Sequence, residues 1–101
     1  MENPKTINWS LLSEKDLESV LQYLKTHWNN QVILRFLDLI EVSIKQIASN
    51  PKQFPLANKI LKVRKCVISK HNTLYYREKR KQIEILRLFD TRQHPSKLRL
   101  K

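Results

Sequence analysis

The chain has 101 residues, of which 20 are Lys or Arg and nine are Asp or Glu, giving a net charge of +11. That length suits one domain with its own core, and that charge suits a polyanion or an acidic protein as partner. A hydrophobic share of 41% with two Trp, three Tyr and three Phe excludes wholesale disorder, one cysteine excludes an internal disulfide, and the lack of any glycine excludes a Gly-rich phosphate loop.

No cofactor is therefore expected. The start, Met1-Glu2-Asn3-Pro4-Lys5, lacks a basic-then-apolar leader. No segment approaches the roughly 18 apolar residues of a membrane span. A cytoplasmic protein with no membrane partner is the expectation.

Thr6 to Ser10 alternates polar and apolar residues, which predicts a short strand with Ile7 and Trp9 on one face. Ser10 or Ser13 then caps a helix, with Glu14 and Asp16 near its positive end. Leu17, Val20, Leu21, Leu24 and Trp28 form its apolar stripe. Asn29-Asn30 breaks this helix and caps a second, whose stripe runs through Ile33, Leu37, Ile40, Ile44 and Ile47, widened by Val32 and Phe36. Pro51 disfavours helical geometry at Asn50, so the second helix should end near Ser49. So short a connection predicts an antiparallel helix hairpin.

Asn50 to Lys62 reads as a loop anchored by Phe54, with Leu56 as a second anchor. Three runs follow, around Val63-Arg64-Lys65-Cys66-Val67-Ile68, Asn72-Thr73-Leu74-Tyr75-Tyr76-Arg77-Glu78 and Gln82 to Arg92. They are rich in β-branched, aromatic and leucine residues and are separated by short polar breaks, which predicts a three-stranded antiparallel meander. Residues 93–101 read as a basic tail without regular structure, since Pro95 stops a central strand. The expected fold is α+β in a single domain over 1–101, ordered βααβββ, with the helix pair packed on one sheet face. Residues 1–58 hold six basic and six acidic residues, so the whole excess of charge falls on 59–101. The open sheet face is expected to carry it.

Several of these stretches resemble the RelE/ParE superfamily of type II toxin–antitoxin toxins, and its ParE-like branch in particular. They are Ser13-Glu14-Lys15-Asp16-Leu17, Asn50-Pro51, Val63-Arg64-Lys65, Leu74-Tyr75-Tyr76-Arg77 and Ile85-Leu86-Arg87-Leu88-Phe89-Asp90-Thr91-Arg92, in that order from about Thr6 to Pro95. The resemblance implies a plasmid-stabilisation or growth-inhibiting toxin held by an acidic antitoxin encoded beside it, whose extended C-terminal segment wraps it in a hetero-oligomer. It also implies one of two targets, DNA gyrase (ParE-like) or ribosome-bound mRNA (RelE-like). The ribonuclease members use basic residues on the sheet and a C-terminal tyrosine. Arg64 and Arg92 match two of those basic positions, and would be the catalytic pair in that case. Cys66 and Thr73 stand where a Lys and an Arg are expected, and Leu98 stands near the tyrosine position. These departures favour the gyrase-directed or an unassigned branch. A basic nucleic-acid-binding module without toxicity is a third reading.

Arg64, Arg77, Arg87 and Arg92, with Tyr76, are the residues expected to meet the target or antitoxin, since guanidinium groups bind anionic oxygens in pairs. The plainer alternative is a solvated charged face with ion pairs to Glu84 or Asp90. Lys79-Arg80-Lys81 beside Arg77 would make a basic hairpin tip, suited to nucleic acid or acidic side chains, although turns are often charged because they are wet. Tyr75 and Tyr76 must face opposite sides of their strand, one in the core and the other free to stack or pack. His27, His71, His94 and Cys66 lack paired ligand spacing, so no metal is expected. Surplus apolar residues such as Leu12, Phe36 and Leu39 are candidates to receive an antitoxin helix.

Overall fold

The computed structural model describes residues 5–100. Residues 1–4 and 101, used above for the leader and the end of the basic tail, lie outside them. The elements in order are β1 (Thr6–Trp9), α1 (Leu11–His27), α2 (Asn30–Ser49), β2 (Leu56–Asn58), β3 (Val63–Ser69), β4 (Asn72–Glu78) and β5 (Gln82–Asp90), with 3-10 turns at Pro51–Gln53 and Pro95–Lys97.

Ser10 is the joint between strand and helix. Its hydroxyl accepts from the Ser13 N–H (3.0 Å) as the α1 cap and donates to the Leu86 carbonyl (3.1 Å), while its own N–H donates to the Ile85 carbonyl (3.0 Å). One short side chain thus satisfies a helix end and fixes α1 against β5. Asn29 repeats the device for α2, its side-chain oxygen accepting from the Val32 N–H (3.1 Å). Asn50 ends that helix, as Pro51 requires.

The sheet has five strands in the order β1-β5-β4-β3-β2. The meander β3-β4-β5 is its centre, and β1 adds to β5 in parallel, which the helix hairpin makes possible by carrying the chain back across the sheet. Leu56–Asn58, expected as loop, is instead a short edge strand pairing antiparallel with β3. Its three residues follow Pro55 and are too few to show a period.

One face of the sheet meets the helices. Cys66, Ile68, Leu74, Tyr76, Ile83, Ile85 and Leu88 are buried there against Phe36, Ile40 and Ile47, with Ile7, Trp9, Leu17 and Leu24 around the margin. Each large buried side chain stabilises the fold by about 1.5–3 kcal/mol relative to exposure. The expected α2 stripe is rotated slightly. Ser43 is buried in line with Ile40 and Ile47, and Leu37 is exposed. Trp28, expected in the α1 stripe, is the α1 C-cap and is 60% exposed.

The expectation of a cationic open face is corrected. By register and alternation that face carries Val63, Lys65, Val67, Thr73, Tyr75, Arg77, Glu84, Arg87 and Phe89, of which Val63, Thr73 and Phe89 are buried, so it is mixed and not uniformly cationic. Arg64 lies on the other side, in line with Cys66 and Ile68 and opposite Tyr76.

Candidate functional site

A cleft of about 670 Å³ opens between α1, α2 and the end of the sheet where β5 runs out. Leu24, Trp28, Val32, Phe36, Leu39 and Phe89 supply apolar walls, and Tyr23, Arg35, His71, Arg87 and Arg92 supply polar and cationic groups. Leu39 and Trp28 are large hydrophobics left exposed here, at 42% and 60%. Among the earlier candidates for a helix-receiving surface, Leu39 lies in this cleft and Leu12 is exposed on α1, while Phe36 belongs to the core.

Arg87 is fixed by Asp16, the fourth residue of Ser13-Glu14-Lys15-Asp16-Leu17, read above as helix-start charge and as part of the family resemblance. The carboxylate accepts from Arg87 Nε (2.7 Å) and Nη2 (3.1 Å) and also from the Leu88 N–H (3.0 Å). Beyond Trp9 the edge of β5 has no β1 beside it, and Asp16 serves as the missing acceptor. Arg87 Nη1 reaches the Lys97 carbonyl at 3.2 Å, tying the C-terminal turn to the same group.

Arg92 clasps Asp90 through Nε (3.0 Å) and Nη2 (2.8 Å), with its backbone N–H also donating to that carboxylate (2.9 Å). Its guanidinium carbon lies 5.5 Å from the centre of the Tyr23 ring, which stacks in turn on His27 at 4.3 Å. The Arg92 hydrogen bond holds the Asp90 carboxyl below the usual carboxylate range. Reciprocally, Asp90 first and Tyr23 second push Arg92 further into its charged form.

The other expected site residues lie elsewhere. Arg64 Nη1 donates to the Phe54 carbonyl (2.6 Å) and more weakly to that of Lys52 (3.4 Å), bracing the loop after α2. Arg77 Nη2 pairs with Glu84 at 2.9 Å and keeps that carboxyl low. Tyr76 is wholly buried, donates its hydroxyl to the Pro51 carbonyl and meets Phe54 edge-on. Burial pushes its phenol up, with Arg64 opposing. As a surface contact Tyr76 is therefore corrected: Tyr75, half-buried on the open face, is the reachable ring of the pair.

Arg87 and Arg92 share the cleft, but Arg64 does not. Arg64 pairs across to Tyr76 and Asp90 to Asn72, so Arg64 and Arg92 are separated by at least four residues, roughly 13 Å, along the strands. Tyr23 and Arg35 are cleft residues the sequence did not single out, and Asp16 was not expected to meet Arg87. Asp16 and Arg87 are 71 positions apart, and no local pattern links them. Among the described residues no group of three or more His, Cys, Asp or Glu is placed to hold a metal ion. No helix among them is long and apolar enough to cross a membrane.

The sequence profile for the ParE toxin of the type II toxin-antitoxin system, parDE, matches residues 7–95. The chain belongs to the ParE toxin family. Within the wider RelE/ParE superfamily, a protein of the chromosomal ParDE TA system from P. aeruginosa superposes with a TM-score of 0.73 at 18% identity, covering 88% of this chain and 98% of that one. The YoeB/ParE toxin from Agrobacterium tumefaciens does so with a TM-score of 0.60 at 15% identity, covering 84% and 97%. At these identities the likeness is one of fold. No curated protein sequence matches. The ParE family frame runs from β1 through the turn at Pro95, so both the cleft and the hairpin meander are part of it.

Proposed function

We propose that this type II toxin arrests growth in the cytoplasm by acting on DNA gyrase and is held inactive by an acidic antitoxin encoded beside it. The observation that carries this reading is the ParE family match over residues 7–95. The positions of Cys66 and Thr73 also favour it, since both are buried, at 2% and 5%, where the ribonuclease members would present cations. The competing RelE-like reading, cleavage of ribosome-bound mRNA, rests on Arg64 and Arg92. It has to accommodate their separation and the engagement of Arg64 with two backbone carbonyls.

The cleft suits an amphipathic acidic segment: apolar side chains settle on Trp28, Val32 and Leu39 while carboxylates meet Arg35 and Arg92. Arg77 and Arg87 are the remaining guanidinium contacts of this reading, each already oriented by a carboxylate. Induction of the chain without its antitoxin tests the function. Growth arrest with an induced DNA-damage response is expected, and rapid codon-phased mRNA cuts would overturn the gyrase reading. Arg92→Ala is expected to reduce toxicity while the protein still folds; full toxicity at equal expression would remove Arg92 from the site.

A further inference from the structure

At the end of the sheet away from the cleft, two hairpin turns stand side by side. Val63 pairs with Arg77 and Glu78 with Ile83, so the turn joining β2 to β3 (59–62) and the turn joining β4 to β5 (79–81) project from the same edge. Strands lie about 4.8 Å apart, which puts the two tips roughly 10 Å from each other. The carboxylates close by are already engaged: Glu78 with Lys5 (2.7 Å), and Glu84 with Arg77 (2.9 Å) and Lys79 (3.6 Å). Lys59, Lys62, Arg80 and Lys81 are exposed, and none has an ion pair among the described residues. Four unpaired cations in so small a region repel one another, and a polyanion removes that penalty.

The two tips differ in their backbone. The Lys79 N–H donates to the Gln82 carbonyl (2.8 Å), closing a tight turn whose central residues Arg80 and Lys81 both keep negative φ, so it tolerates two long cationic side chains. In the other turn Lys62 adopts a left-handed φ of 57°, and the Asn58 side chain accepts from the Leu61 N–H at 2.9 Å. That turn presents Ile60 at 92% exposure, with Lys59 before it and Lys62 two residues after. In the 59–62 turn, local preference at Lys62 and hydrophobic burial at Ile60 are both overridden.

We propose that this end of the sheet seats duplex DNA, with Lys59, Lys62, Arg80 and Lys81 on phosphates and Ile60 against the groove between them. One strand of a duplex carries a phosphate about every 3.4 Å of axis, so tips roughly 10 Å apart span about three intervals, that is, about four phosphates. An apolar residue between phosphate-binding cations is the arrangement by which minor-groove proteins wedge a base step. Single-stranded nucleic acid calls for exposed rings on which bases stack, and neither turn carries an aromatic residue. The contact is made by this chain alone and does not rest on gyrase being the target.

Fluorescence anisotropy with a labelled 20-base-pair duplex and the purified full chain, from 50 to 200 mM salt, tests it. Four phosphate contacts give a log–log salt slope of about −3.6, which R80A/K81A reduces to about −1.8. I60S is expected to weaken binding about fivefold with the slope unchanged. K15A/K25A removes the same charge from α1 and is expected to leave the slope intact. All the substituted positions are exposed, and thermal melts check that the variants fold. Absence of duplex binding at 50 mM salt, equal losses from the α1 and hairpin variants, unchanged affinity of I60S, or tighter binding to single-stranded RNA would each overturn the proposal.

Discussion

The two ends of the sheet carry their cations in different company. Where β5 runs out, Arg87 is clasped by Asp16 and Arg92 by Asp90, beside a cleft with apolar walls. At the hairpin end the nearby carboxylates are used up, and four exposed cations remain unpaired. Paired guanidinium groups supply fixed geometry with little net field, whereas unpaired lysines and arginines supply field with little fixed geometry. Charge counted along the sequence does not distinguish these. The cleft end is thereby suited to shape-specific recognition, and the hairpin end to a salt-sensitive grip.

Removing Asp16 breaks the contrast most severely. Its pair with Arg87 has side-chain exposures of only 15% and 12%, and Asp16→Ala also leaves the Leu88 N–H without its acceptor. A loss of about 3 kcal/mol in urea unfolding is expected. Glu78→Ala, which breaks the more exposed Lys5 pair at the hairpin end, is expected to change stability by less than about 1 kcal/mol. Equal losses from the two variants would abolish the distinction between the ends.

Tyr76→Phe comes next. It deletes the hydroxyl donated to the Pro51 carbonyl while keeping the buried ring, so about 1 kcal/mol of stability should go. A neutral result would mean that the loop after α2 is held by Phe54 and Arg64 alone.

Acid titration then compares the ends through their carboxylates. Glu84 and Asp90 both titrate lower in the folded protein than their ordinary values of 4.5 and 3.8, because of Arg77 and Arg92 respectively. Their contribution is fully present above those values and fades as pH falls through the depressed folded ones. Arg92→Ala should flatten this acid limb by the Asp90 share and Arg77→Ala by the Glu84 share, as read from unfolding midpoints between pH 5 and 2. An acid limb unchanged in both variants would contradict the pairing.

Salt gives the smallest and most selective effect. Antitoxin affinity is expected to fall with added salt because Arg35 and Arg92 border the cleft. Its salt slope should nevertheless be shallower than that for duplex DNA. A steeper slope for the antitoxin would place its binding on the hairpin turns instead.

Much of the fold was legible in the sequence because its signals are local. The Ser10 and Asn29 caps, the end of α2 before Pro51, and the three meander strands each rest on a few adjacent residues. That Tyr75 and Tyr76 face opposite ways follows from strand geometry alone, but which of them enters the core depends on the Arg64–Tyr76 register. The edge strand at Leu56–Asn58 escaped because it exists only through pairing with β3. The cleft was hidden for a similar reason: Asp16 with Arg87, and Tyr23 with Arg92, meet only after the helix hairpin folds back on β5. The concentration of charge in the second half of the chain was visible. Its division between the two ends of the sheet required the topology.

The most direct test combines purified chain, purified gyrase and supercoiled plasmid. A ParE-type toxin should trap gyrase with the DNA cleaved, and pre-incubation with the antitoxin from the neighbouring gene should prevent it. Gyrase that supercoils normally at saturating toxin, while translating ribosomes given the same preparation cut their mRNA, would contradict the account.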